Sequence, residues 1–94
     1  MRILWTDEAL DDFAEIVAYY YAEVSPRTAE SVERRIVEQV EGLLSFPESI
    51  RRSDRITGTH ELVVHRLPYI VFVKLLPDSI VALNVVHTAR KFPA

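Results

Sequence analysis

The chain has 94 residues, 49% of them hydrophobic and 27% charged, with a formal net charge of −3 and no cysteine. These figures predict one domain, residues 1–94, with a single modest core, and leave out a disulfide framework, a thiolate metal site and a thiol nucleophile. No apolar run approaches the roughly 18–20 residues that cross a bilayer, and Met1-Arg2 opens without a leader-like stretch, so a cytoplasmic protein with no membrane contact is expected.

The charge is unevenly spread. Residues 1–49 hold four arginines and eleven carboxylates, a balance of −7; residues 50–94 hold seven basic and three acidic residues, a balance of +4, and all three histidines. Such a division predicts two faces with different partners.

Ile3-Leu4-Trp5 reads as a short strand. Thr6 follows as an N-cap, with Asp7 and Glu8 placed at the positive end of a helix dipole. The first helix is predicted to run to about residue 23, with Leu10, Phe13, Ile16, Val17 and Tyr20 as its apolar stripe. Tyr19, Tyr20 and Tyr21 point in different directions around it, so at least one ring should meet solvent. Ser25 as N-cap and Pro26 at the first helical position start a second helix, predicted from 26 to about 45. Ala29, Val32, Ile36, Val40, Leu43 and Leu44 form its stripe; Gly42 weakens its last turn, and Phe46-Pro47 stops it. The short turn between the helices makes them an antiparallel hairpin.

Residues 47–59 read as a loop with room for a short strand, carrying Arg51, Arg52 and Arg55. Three runs rich in Val, Ile, Phe and Tyr follow, residues 61–65, 69–76 and 80–87, broken by Arg66-Leu67-Pro68 and Pro77-Asp78-Ser79. This is the pattern of an antiparallel meander. The fold class is therefore α+β: an N-terminal strand, a two-helix hairpin, then a three-stranded antiparallel meander with the helices on one face. In the middle strand Tyr69, Val71, Val73 and Leu75 take one face, and Ile70, Phe72, Lys74 and Leu76 the other. In the last, Ile80, Ala82, Asn84 and Val86 alternate with Val81, Leu83, Val85 and His87. Both faces are mainly apolar, yet a hairpin covers only one. The second face is therefore expected to stay exposed unless another chain covers it. Tyr69, Val71 and Val73, with Tyr19 and Tyr20, are the candidate partner-binding residues.

This layout resembles the RelE/ParE superfamily of bacterial toxins from type II toxin–antitoxin modules. The resemblance covers nearly the whole chain. It is carried by Glu61-Leu62-Val63-Val64, Pro68-Tyr69-Ile70-Val71-Phe72 and Val85-Val86-His87-Thr88-Ala89-Arg90, and by the helical part from Trp5 through Asp11 and Ile16 to Tyr20. Ile50, His60 and Val73-Lys74 stand where family members often carry Gly, Arg and Tyr-Arg. The resemblance implies a growth-inhibiting toxin, of the kind found in plasmid-stabilisation modules, neutralised by a cognate antitoxin that covers the open sheet face. Two modes of action follow from it: binding DNA gyrase, in the ParE manner, or cutting messenger RNA on the ribosome, in the RelE manner. A third reading is a non-toxic binding module.

A ribonuclease of this kind needs no metal or cofactor. It needs a general base, a general acid and cationic donors around the phosphate. His87 is the acid–base candidate, and Arg90, Arg51 and Arg66 are the phosphate donors. The chain has only two lysines, Lys74 and Lys91. Nucleic-acid affinity rests on cationic phosphate contacts, so the ParE reading is preferred, and with it a binding protein over an enzyme.

Overall fold

In the computed structural model, which describes residues 1–89, the chain stays hydrogen-bonded to the sheet as it leaves the first strand, as backbone taken from water must. Strand β1 (Arg2–Trp5) runs parallel to the last strand, β5 (Ser79–His87), with Ile3 beside Ile80 and Trp5 beside Ala82. Thr6 then donates its N–H to the Ala82 carbonyl at 3.0 Å and its hydroxyl to the Leu83 carbonyl at 2.7 Å. The same hydroxyl accepts the Ala9 N–H at 3.1 Å. One side chain thus caps helix α1 (Asp7–Glu23) and extends the sheet edge past the point where β1 stops. Thr6→Ala removes the cap and orphans a carbonyl. It should cost about 1–2 kcal/mol, a fall of roughly 5–10 °C in Tm by calorimetry.

Helix α2 (Pro26–Glu41) starts as its residues predict. The Ser25 hydroxyl accepts the Thr28 N–H at 3.1 Å, and Pro26 occupies the first turn. The regular helix ends at Glu41, because Gly42 opens a 3-10 turn over Gly42–Leu44; a second 3-10 turn spans Pro47–Ser49. Ala29, Val32, Ile36, Val40 and Leu43 are all buried, as the stripe requires, while Leu44 is exposed. On α1 the stripe is displaced by one residue at its start: Ala9 is fully buried and Leu10 is 51% exposed. The Thr6 bonds draw the first turn of α1 onto β5, and the side chain meeting that close approach is an alanine. No helix among the described residues is long and apolar enough to cross a membrane.

The sheet has five strands in the order β1-β5-β4-β3-β2, with β2 at Arg51–Arg52, β3 at His60–Val63 and β4 at Tyr69–Leu75. The predicted meander is β3-β4-β5, antiparallel throughout. The short strand allowed for in the arginine-bearing loop is β2, and β1 completes the other edge. The β3–β4 turn carries a hydrogen bond from the Leu67 N–H to the Val64 carbonyl. It puts Arg66 at φ +66°, a conformation more often given to Gly or Asn. Helix α2 holds this turn from outside: Gln39 Oε1 accepts the His65 N–H at 2.7 Å, and Gln39 Nε2 donates to the His65 carbonyl at 3.4 Å.

Two face assignments differ from expectation. Cross-strand partners share a face, so β4 residues Tyr69, Val71 and Val73 look toward the helices, with Ile80, Ala82 and Val85. In β5 the expected alternation breaks. Phe72 pairs with Asn84, but Val73 pairs with Ala82, leaving Leu83 as an extra residue. A bulge of this kind reverses the parity of everything beyond it. Val85 and His87 therefore join Ile80 and Ala82 on the helix side, and Asn84 and Val86 turn away.

The second face is not left open at its centre. Ile70, Phe72 and Glu61, all on that face, are buried, Phe72 completely. The β2–β3 loop closes over Glu61 through Ser53, whose hydroxyl donates to the carboxylate at 2.6 Å. Only the periphery meets solvent: Val63 is 53% exposed and Leu4 39% exposed.

Candidate functional site

The bulge in β5 has a chemical consequence. Beyond Ala82 the strand has no β1 beside it, so its outward backbone groups need other partners. Thr6 takes the Leu83 carbonyl, and Asp12 of α1 accepts the Val85 N–H at 3.0 Å through Oδ2. Asp12 is thus held at the end of the sheet where β5 finishes and β4 begins. There Tyr69 and His87 pair across the strands with their rings edge to face, centroids 5.4 Å apart. Glu15, Ile16 and Tyr19 follow on the same side of α1 and complete a cleft of about 190 Å3 lined by Asp12, Glu15, Ile16, Tyr19, Tyr69, Val85 and His87.

Behind the cleft wall Tyr69 is one half of a phenol pair. The Tyr69 hydroxyl donates to the Tyr20 hydroxyl at 3.4 Å, and the Tyr19 ring stands edge to face on Tyr20 at 5.3 Å. Burial pushes the Tyr69 phenol well above its ordinary value of 10.0, and the Tyr20 hydrogen bond and the neighbouring Tyr20 and Tyr19 hydroxyls add to the shift. Above pH 10 an unfolded chain sheds this proton while the folded chain keeps it. Stability should therefore be undiminished below about pH 10 and fall as pH rises toward the folded value, by up to about 1.4 kcal/mol per pH unit from this group. Urea midpoints taken between pH 9 and 11 should decline less steeply in Tyr69→Phe than in the parent.

His87 is exposed at the cleft rim, and its Nδ1 accepts the Ala89 N–H at 3.0 Å. A neutral imidazole has one lone pair to offer, and this bond takes it up.

Of the predicted phosphate donors, the structure sets Arg51 apart from His87. Arg51 pairs with Glu61, which pairs with Phe72, so Arg51 lies on the opposite face of the sheet from His87. Its guanidinium is 3.3 Å from Glu61. Arg66 stands exposed in the β3–β4 turn, with no ion pair among the described residues. Arg90 lies outside the described residues. Of the predicted partner-binding residues, Val71 and Val73 are fully buried between sheet and helices and offer no surface. Tyr69 is buried apart from the edge it gives the cleft, Tyr20 is half-buried, and Tyr19 is 57% exposed. Asp12 and Glu15 are the site residues that sequence reasoning passes over. The available signal is their spacing: residues 12, 15 or 16, and 19 lie on one side of a helix.

A helix hairpin laid on one face of a five-stranded sheet, with β1 parallel to β5 and a side-chain cleft at the sheet end, defines the RelE/ParE toxin fold. The sequence model of the family described as "ParE toxin of type II toxin-antitoxin system, parDE" matches residues 3–92, and the chain belongs to that family. Protein Y4kP of Sinorhizobium fredii (strain NBRC 101917 / NGR234) is 37% identical over 92 residues, covering 98% of this chain and 93% of its own. Among solved structures, the chromosomal ParDE toxin–antitoxin system from P. aeruginosa is similar at a TM-score of 0.82 and 26% identity, over 93% of this chain and 95% of that one. The isolated E. coli RelE toxin shares the fold at a TM-score of 0.56 and 12% identity, over 95% of this chain and 85% of its own.

Proposed function

We propose that this toxin arrests growth by binding DNA gyrase in the cytoplasm, that it cuts no RNA, and that a cognate antitoxin neutralises it. One observation carries the reading. The cleft holding His87, the acid–base candidate of the sequence, is walled by the carboxylates of Asp12 and Glu15, and among the described residues no cationic side chain lines it. Phosphate cleavage needs cations around the developing charge, and two carboxylates repel the backbone they would have to bind. The likeness to the P. aeruginosa ParDE system, stronger than that to RelE, supports the same reading. The antitoxin covers the open rim of the second sheet face around Leu4 and Val63, large apolar side chains exposed there.

Purified toxin should inhibit supercoiling by gyrase, and transcripts in arrested cells should stay full length. His87→Ala should arrest growth within about twofold of the parent, because no proton passes through that ring. Cleaved transcripts with normal supercoiling, or loss of toxicity in a folded His87→Ala variant, would overturn the proposal in favour of a ribosome-dependent nuclease. Absence of growth arrest would leave a binding module alone.

A further inference from the structure

We infer that the cleft between α1 and the Tyr69–His87 end of the sheet is a receptor for one lysine or arginine side chain of a bound protein. Its size sets the first limit. A volume of about 190 Å3 holds about six waters and falls below the roughly 300–1,000 Å3 of sites that enclose whole small molecules. An occupant on the scale of one long side chain fits.

Charge sets the second. Asp12 and Glu15 are three residues apart on one side of α1, so their like charges repel. Neither has an ion pair among the described residues. Helix α1 has six carboxylates, Asp7, Glu8, Asp11, Asp12, Glu15 and Glu23, and no lysine or arginine. Asp12 gives one oxygen to the Val85 N–H, which fixes the carboxylate in place and leaves the other oxygen to a ligand. The walls set the third. The exposed Tyr19 ring lines the cleft together with the carboxylates, and a cation gains from a ring face as well as from a counter-charge. Two carboxylates and a tyrosine ring lining a cleft of side-chain size suit an ammonium or guanidinium group on an alkyl stem.

The inference rests on the reading that this toxin works through protein contacts, but its test is independent of gyrase. Purified toxin is titrated with ethylguanidinium chloride and, separately, with neutral ethylurea at constant ionic strength, following the ring resonances of Tyr19, Tyr69 and His87. Saturable shifts with ethylguanidinium, little response to ethylurea, and at least fivefold weaker binding in Glu15→Gln are expected. Equal responses to both probes, no saturation, or unchanged binding in Glu15→Gln would overturn the inference. A Glu15→Lys toxin, which carries its own cation at the cleft, then identifies the source of the side chain in cells. Loss of growth arrest without antitoxin assigns it to the target. Arrest that the antitoxin no longer relieves assigns it to the antitoxin. Full toxicity with full neutralisation overturns it. Normal supercoiling beside a positive titration would remove gyrase as the target and leave the cleft standing.

Discussion

Replacing Phe72 by alanine should cost about 3–5 kcal/mol, the range for emptying a large aromatic site in a closed core. Phe72 is fully buried, yet it points away from the helices, on the face where a single hairpin gives no cover. Cross-strand neighbours Glu61 and Asn84 flank it. Domains of this size are stable by about 5–15 kcal/mol, so the variant should lose roughly a fifth of the total or more and unfold at a clearly lower urea midpoint. Val63→Ala, on the same face but half exposed, should stay within about 0.5 kcal/mol of the parent. The contrast tests the geography of this face. If it were an open docking surface, both substitutions would be mild and would weaken a complex instead. A near-neutral Phe72→Ala in denaturation would restore that view. The expected result makes the protein a sheet with core on both sides, with room for a partner only at the rim.

The two-sided core explains which parts of the fold are legible in the sequence. Thr6 and Ser25 are readable as caps because a hydroxyl just before an apolar-periodic run has one local use. Their bonds to Ala9 and Thr28 are the ones the pattern predicts. The stripe of α2 is readable because Ala29, Val32, Ile36 and Val40 keep a period that nothing interrupts. Strand existence is readable from Val and Ile content, but strand facing is not. A period of two holds only while register holds, and Leu83 breaks it with one extra residue. The clue for β4 is Lys74, which shares parity with Ile70 and Phe72. A charged side chain near the strand end marks the face away from the helices. Weighed against two equally apolar faces, that single residue decides the orientation. The site is less legible still. Asp12 and Glu15 read as solvated charges on a helix until the bulge brings an unpaired Val85 N–H to Asp12. That pairing depends on where β1 stops, which no local pattern encodes.

Removing both Arg51 and Arg55 should cost far more than removing either one alone. The Glu61 side chain is 1% exposed, whereas those of its partners are 67% and 39% exposed. Arg51 lies 3.3 Å and Arg55 3.7 Å from Oε1, while the Ser53 hydroxyl donates to Oε2 at 2.6 Å. The burial is therefore one-sided. Taking away the acid leaves cations that already reach solvent, but taking away the cations strands a buried anion. A single Arg51→Ala or Arg55→Ala leaves one guanidinium and the serine on the carboxylate and should cost about 1 kcal/mol each. The double variant leaves the serine alone. Its cost should rise to about 3–5 kcal/mol, the range for an uncompensated buried charge, so the cycle should show a coupling of 1 kcal/mol or more. Glu61→Gln supplies the decisive arm. In that background no anion is left to strand, and removing both arginines should cost at least about 1 kcal/mol less than it does with Glu61 intact. Additive losses with Glu61 intact, or an equally large loss with glutamine at position 61, would mean that the arginines hold the β2–β3 loop by packing. The coupled result would place the ion cluster on the second sheet face as a clasp for that loop, which uses Arg51 for the fold and leaves the His87 cleft without it.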